Sequence, residues 1–323
     1  MSVKVPDLET IRRRAEANAF SLDELGWERG VARDRMWFPE RMTPLAHTEV
    51  YGELGEEERL TYNHFYAQAV NEQFIFLEEW FLVRVVEGVR RRKNLGVPED
   101  LRVALDDFLA EEMKHTAMFR RLNLLADPER YAKGEFSFMR FGWAEDKLLD
   151  LMAWRPEMLV VWCWMALIFE EKTIDYYRQY QRHDRERASE PLDPLHTEVH
   201  RYHAIDEVRH VQVDHHLVEH FHDRCGGVVR AINARLLART LAGYTRPRRT
   251  NFRIVEELGR AHPRLAARVE AMKEQLRGLF ARGEWQAIAY SRRNAPQTFA
   301  QFDRHPELHR LSQVLTEYRP QAA

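Results

Sequence analysis

Cysteine is nearly absent. Cys163 and Cys225 are the only two in 323 residues, too few for a disulfide framework or a cysteine-rich zinc site. Strand signals are also scarce: between Gly and Pro breaks, apolar residues recur at spacings of three and four rather than two, which excludes a β-rich fold. The longest apolar run, Met158 to Phe169, is well short of the ~20 residues of a membrane span and ends on Glu170 and Glu171, so no membrane partner is expected. The start, MSVKVPDLETIRRR, lacks the apolar core of a secretory signal, and with so little cysteine a cytoplasmic location is expected. A glycine-rich phosphate loop and a Ser or Cys nucleophile triad are missing too. Net charge is only −2. Residues 226–323 nevertheless carry 18 Lys and Arg against 8 Asp and Glu, leaving 31 against 43 before them. The basic residues are spread at helical spacing among Leu, Ala and Val, which reads as a solvated helical face docked on the acidic part rather than a nucleic-acid site.

What remains is an all-α chain. Four long helices are expected, over about 57–93, 98–125, 156–182 and 194–224, in two hairpins joined by a longer crossover. Gly96 and Pro98 break the first from the second, and Gly226 with Gly227 is expected to close the fourth in a left-handed cap. The organisation expected is an N-terminal arm (1–55), a four-helix bundle (56–225) and a basic helical extension packed on it (226–323).

Two stretches carry the chemistry: LAEEMKHTAMF at 109–119 and HAIDEVRHVQV at 203–213. In each, an acidic residue precedes a Glu with a His three positions on. On a helix, positions i and i+3 share a face, so Glu112 with His115, and Glu207 with His210, can aim two ligands at one point. Phe108, Leu109 and Phe119 share the stripe of Glu112, which should turn it inward, whereas Glu111 runs with Asp107 and Lys114. At matching height on the other helix of each hairpin stand two further acidic pairs, Glu78 with Glu79 and Glu170 with Glu171. The stripe of Cys163, Ala166, Thr173 and Ile174 favours Glu170; periodicity does not separate Glu78 from Glu79. Among 15 His, a single E-x-x-H arises by chance, but two, each preceded by an acid and each facing a Glu pair, call for a cause. Four carboxylates in an apolar bundle are unfavourable alone, and two divalent ions balance them. The His-rich stretch 214–223 has no matching acids; His215, His216, His220 and His222 read as a solvated helix end. Trp80, Phe81, Trp162, Trp164 and Phe169 could wall a cavity, and Tyr176 or Tyr177 could line it, although plain core packing is the commoner role of such residues.

The order E…E-x-x-H…E…E-x-x-H resembles the ferritin-like di-iron carboxylate proteins over about residues 70–215. HAIDEVRH at 203–210 is similar to the H-x-x-[DE]-E-x-x-H of the p-aminobenzoate N-oxygenase group, in which an additional His joins the metal ligands. EWFLVRVV at 79–86 and EEKT at 170–173 are similar to segments of a related bacterial family labelled metal-dependent hydrolases. The resemblance implies iron ligands at Glu79, Glu112, His115, Glu170, His203, Glu207 and His210, with Glu111 and Asp206 behind them holding imidazole N–H groups of the facing helix. It implies two Fe ions cycling between Fe2+ and Fe3+, with manganese left open, and a di-iron oxygenase using O2 to oxidise a small organic substrate, N-oxygenation of an amine being the most specific expectation. An unidentified electron donor is then required, and a homodimer is compatible with the sequence. The alternative is a ferritin-like protein that binds or oxidises iron without organic chemistry.

Overall fold

In the computed structural model, which describes residues 5–321, the chain is helical and no strand occurs among the described residues. Helix α1 (Leu8–Asn18) starts where the Asp7 carboxylate accepts the Thr10 N–H at 2.7 Å, and it lies against α4 and α8. From there to Leu54 the arm wraps the bundle in short 3-10 turns held by buried side chains. Asn63 Oδ1 accepts from the backbone of Trp37 and Phe38 at 2.8 and 3.1 Å, and the Tyr180 hydroxyl donates to the Trp37 carbonyl at 2.7 Å.

The bundle is built from four rods. The first is continuous but not uniform: α2 (Glu56–Ile75) passes through a π-helical stretch, Phe76–Val83, into α3 (Arg84–Arg91). Gly96, at φ 63°, then makes the left-handed turn that a Cβ would disfavour. Helix α4 (Glu99–Ala126) returns along the first rod, while α7 (Val161–Glu186) and α8 (Pro194–Leu217) form the second hairpin and pack on each other more extensively than any other pair. Asp193 fixes where α8 begins, accepting the His196 N–H at 2.7 Å ahead of Pro194 in the first turn. The expected ferritin-like layout is therefore present.

The connection between the hairpins holds two helices that periodicity did not mark, α5 (Pro128–Tyr131) and α6 (Trp143–Trp154). Helix α6 lies on α3, where Arg84 reaches Asp146 at 2.8 Å and Asp150 at 2.6 Å. Contact is closest at Gly88, where a Cβ would sit 2.1 Å from the Ala153 carbonyl oxygen.

Five helices follow: α9 (Gly227–Tyr244), α10 (Arg248–Ala261), α11 (Val269–Arg282), α12 (Glu284–Ala289) and α13 (Pro296–Arg304). Helix α10 packs on α2, and α9 and α13 pack on α7. Ile254, Val255, Leu258, Met272, Leu276 and Leu279 are buried here, so apolar contact holds the extension. Ion pairs ring it: Arg264 with Glu58, Arg268 with Glu53, and Glu257 with Arg130 at 3.7 Å.

Two expectations are corrected. Gly226 is not a left-handed cap: with φ −65° it opens α9, while α8 runs out through a second π-helical turn, Val218–His222. The histidines of 214–223 are not a solvated end either. His215, His220 and His222 are buried and His216 is half-buried; the extension covers two of them, Gln301 meeting His215 and Glu307 holding His222 at 2.8 Å opposite the Trp164 indole at 3.1 Å. No described helix is long and apolar enough to cross a membrane.

Because α6 depends on the absence of a side chain at position 88, Gly88→Ala should cost about 1–3 kcal/mol through forced separation of α3 and α6. A thermal melt checks this: at roughly 2–4 °C per kcal/mol, Tm should fall by several degrees, and an unchanged Tm would show that α6 is not held there.

Candidate metal centre

The i, i+4 and i+7 positions of α8 put His203, Glu207 and His210 on one inward face, and α4 turns Glu112 and His115 toward them. All five are buried. His203 Nε2 lies 2.6 Å from Glu207 Oε1 and 3.0 Å from Glu78 Oε1; His210 Nδ1 lies 2.8 Å from Glu112 Oε1 and 3.1 Å from Glu207 Oε2; His115 Nδ1 lies 3.3 Å from Glu207 Oε1. The donors form two overlapping groups, Glu78, His115, His203 and Glu207, and Glu112, His115, Glu207 and His210. Glu170, buried on α7, completes the set from beside Glu207.

Close approach without hydrogen bonding marks this cluster. Both oxygens of Glu78 and of Glu112, Glu170 Oε1, Glu207 Oε1, His115 Nδ1 and His203 Nε2 are sealed from water and have no hydrogen-bond partner. Such atoms are costly unless something else satisfies them. A pair of cations meets the requirement, since carboxylate oxygens and imidazole nitrogens are the donors a divalent transition metal takes.

Behind the cluster stand Glu111 and Asp206. Glu111 on α4 holds His210 Nε2 of α8 at 2.9 Å, and Asp206 on α8 holds His115 Nε2 of α4 at 2.9 Å. Each carboxylate thus fixes the imidazole of the facing helix with Nδ1 turned inward. Arg209 joins the two, reaching Glu111 at 2.6 Å as well as Asp206, and Lys114 meets Asp206 at 2.8 Å. Neither base was singled out by motif spacing, nor was Asp214, one turn past His210 and fully buried with both oxygens unpaired. His203 is set differently: its ring is gripped edge to face by Phe74 and Phe119, centroids 4.8 and 4.9 Å away.

The structure does not bring Glu79 to the cluster; Glu78 takes that place. Glu79 keeps 29% of its side chain exposed and pairs with Arg120, which also holds Glu135 at 2.6 Å. Both acids lie in the π-helical stretch Phe76–Val83, a departure from the 3.6-residue phase that the resemblance implying Glu79 does not carry. Glu171 faces away from the cluster as expected, and its oxygens accept the Gln297 and Thr298 N–H groups at 2.9 and 2.7 Å, capping α13.

Beside the bundle lies a cavity of about 330 Å³. Leu77 and Phe169, the residues just before Glu78 and Glu170, line it, with Phe81 and Tyr176. Of the other aromatics considered as walls, Trp80 is 41% exposed, while Trp162 and Trp164 are buried elsewhere, against Phe221 and His222. Glu78 and Glu170 keep the largest exposure in the cluster, 3% each, but neither lines the cavity and both Glu78 oxygens are sealed.

Burial, and then repulsion from Glu112 and Glu207, hold Glu78 and Glu170 well above the usual carboxylate range in the metal-free chain. His115 would be lowered by burial, but Asp206 and Glu207 outweigh it and raise it to about 9. His115 therefore carries a proton near pH 7, and Glu78 and Glu170 are pushed toward their protonated forms, so a cation that binds must displace protons. Loading the metal-free chain with Fe(II) or Zn(II) should release protons and bind more tightly as pH rises; proton uptake in a weakly buffered indicator titration would contradict it. In the same titration Glu78→Ala should lower the number of ions bound, and Glu79→Ala should leave it unchanged.

Residues 8–282 match the family model described as p-aminobenzoate N-oxygenase AurF. No curated protein matches the chain. With the helical bundle and the buried Glu and His cluster already in place, the match means that the chain belongs to the AurF family of p-aminobenzoate N-oxygenases, non-haem di-iron enzymes that act on an amine.

Proposed function

We propose that Glu78, Glu112, His115, Glu170, His203, Glu207 and His210 hold two iron ions, and that the chain uses O2 to oxygenate the nitrogen of a small amine. The observation that carries this reading is the convergence of buried, unpartnered oxygen and nitrogen atoms in two groups that share His115 and Glu207. Four glutamates balance the charge of two divalent ions, and family membership favours iron over manganese. When bound, the iron pair supplies the redox chemistry that activates O2.

The chain's own residues do the rest. Glu111 and Asp206 keep His115 and His210 in one tautomer, and Arg209 ties those two carboxylates together across the helix pair. Burial holds His203 down to about 4 despite Glu207 beside it, so it adds a neutral donor without adding negative charge. The apolar walls of Leu77, Phe81 and Phe169 keep bulk water from the approach to Glu78 and Glu170. One oxygen atom goes to the amine nitrogen and the other leaves as water, which takes two electrons and two protons from an external reductant. A cytoplasmic setting suits that supply, and both cysteines are free thiols.

Anaerobic Fe(II) titration should plateau at two ions per chain. The reduced protein given labelled O2 and a panel of arylamines should then place the label in an N-oxygenated product, read by mass spectrometry. A plateau at one ion, or uptake of hundreds of irons per assembly with no organic product, would overturn the reading. Glu111→Ala should keep both ions but weaken their binding by about 10–100-fold.

A further inference from the structure

The cavity beside the cluster is unusual in what it leaves out. Among the described residues that line it there is no Lys, Arg or His. Its one charged group, Glu145, stands at the rim, half exposed and 3.4 Å from the outward-facing Arg249. Lys172, a buried cation outside the lining, is engaged by Asp175 at 2.5 Å and packs behind the rings of Tyr176 and Tyr290. Inside, the polar groups are neutral: Tyr66, Tyr176, Tyr244, Tyr290, Gln73 and Asn251. Gln73 Nε2 is bonded to the Tyr244 hydroxyl, whereas Asn251 Oδ1 is buried with no partner. Burial keeps the Tyr66, Tyr244 and Tyr290 phenols far above their ordinary pKa, so they present neutral O–H groups.

We propose that this cavity is the substrate pocket and that it selects an uncharged aromatic amine over an anionic one such as an aminobenzoate. The proposal rests on the amine-oxygenation reading and adds the charge of the substrate. Aromatic walls of Phe81, Phe169 and the tyrosines suit a flat ring, and the amide and phenols suit neutral N–H or C=O substituents. A carboxylate brought here exchanges water for neutral groups with no cation in the lining, and the rim adds the negative charge of Glu145. The volume, about 330 Å³, accepts a single substituted ring.

The test pairs two ligands of nearly equal shape that differ in charge. 4-Aminobenzamide and 4-aminobenzoate are titrated calorimetrically into the iron-loaded full-length protein at pH 7. The neutral amide should bind, and the anion should bind about 100-fold more weakly or not at all. Ala69→Phe, which fills the cavity from α2, should abolish amide binding while leaving two irons and the optical spectrum unchanged; Ala289→Phe serves if that variant does not fold. Thr240→Arg, adding a cation to the lining, should narrow the gap between the two ligands.

Equal or tighter binding of the benzoate to the unaltered protein overturns the charge selection, and so does failure of both to bind. Amide binding that survives both Phe substitutions overturns the pocket. If the amide binds as expected and Ala69→Phe blocks it, yet no amine is oxygenated, the proposed reaction fails while the pocket's charge preference stands.

Discussion

A carboxylate moved from water into an apolar helix bundle loses several kcal/mol of hydration unless a cation or donors replace it. Four glutamates, each with at least one buried oxygen that has no hydrogen-bond partner, meet that condition together at the centre of this protein. Arranged this way, the metal-free cluster is held against its own electrostatics: His115 and His210 are drawn toward the charged form while Glu78 and Glu170 are pushed toward the neutral one. The surrounding helices must therefore fix these side chains against the repulsion among the carboxylates, which the charged imidazoles offset only in part. Two divalent ions held here would reverse the sign, turning repulsion among the acids into a reason for the bundle to close.

Each of the four rods carries two adjacent acids, and in every pair they face different ways. Glu112 and Glu207 enter the cluster while Glu111 and Asp206, one position earlier, hold the histidine of the opposite helix. Glu78 and Glu170 enter while Glu79 and Glu171, one position later, engage Arg120 and the start of α13. Neighbouring residues on a helix point about a quarter-turn or more apart, so one acid can serve the interior only if the other has work outside it. The outer four bind the bundle, the loop beyond α5 and the C-terminal extension to the rods that present the inner four.

Part of this was readable because the helical period is rigid. In α4 and α8 the repeat is unbroken, so the spacing of Glu112 with His115 and of His203, Glu207 and His210 alone places them on one face, and the crossed roles of Glu111 and Asp206 follow. The first rod is where that logic gives no answer: periodicity does not separate Glu78 from Glu79, and Glu79 was implied only by the resemblance of EWFLVRVV. A π-helical turn over Phe76–Val83 shifts the phase at the acids in question, and nothing in FLEEWFLV distinguishes that backbone from an ordinary helix. Burial of His215 and His222 was equally hidden, since their covering residues, Gln301 and Glu307, lie some eighty positions away. Helix α6 escaped notice because its Trp143, Leu148, Leu151 and Trp154 remain exposed, blurring the apolar stripe by which a surface helix is recognised.

That same π-helical turn ties site to pocket. It places Glu78 inward and, by the same rotation, sends Leu77 and Phe81 to the cavity wall. On the facing rod, Glu170 goes inward while Phe169 and Tyr176 turn to the cavity. Two acids and the walls of the approach to them are thus set by the phase of two helices rather than by mobile loops, which is the arrangement that holds a reacting group within a fraction of an ångström. Another part of the wall is different in kind. Met139 and Phe141 come from the segment after α5, and Glu72 pins that segment by accepting the backbone N–H groups of Ser137, Phe138 and Met139 and the Tyr131 hydroxyl. A buried carboxylate with that many donors needs no metal. The contrast between Glu72, fully satisfied by the chain, and Glu78, six residues on with neither oxygen hydrogen-bonded, is the clearest physical division between an acid that builds this fold and one whose oxygens are left free to take a cation.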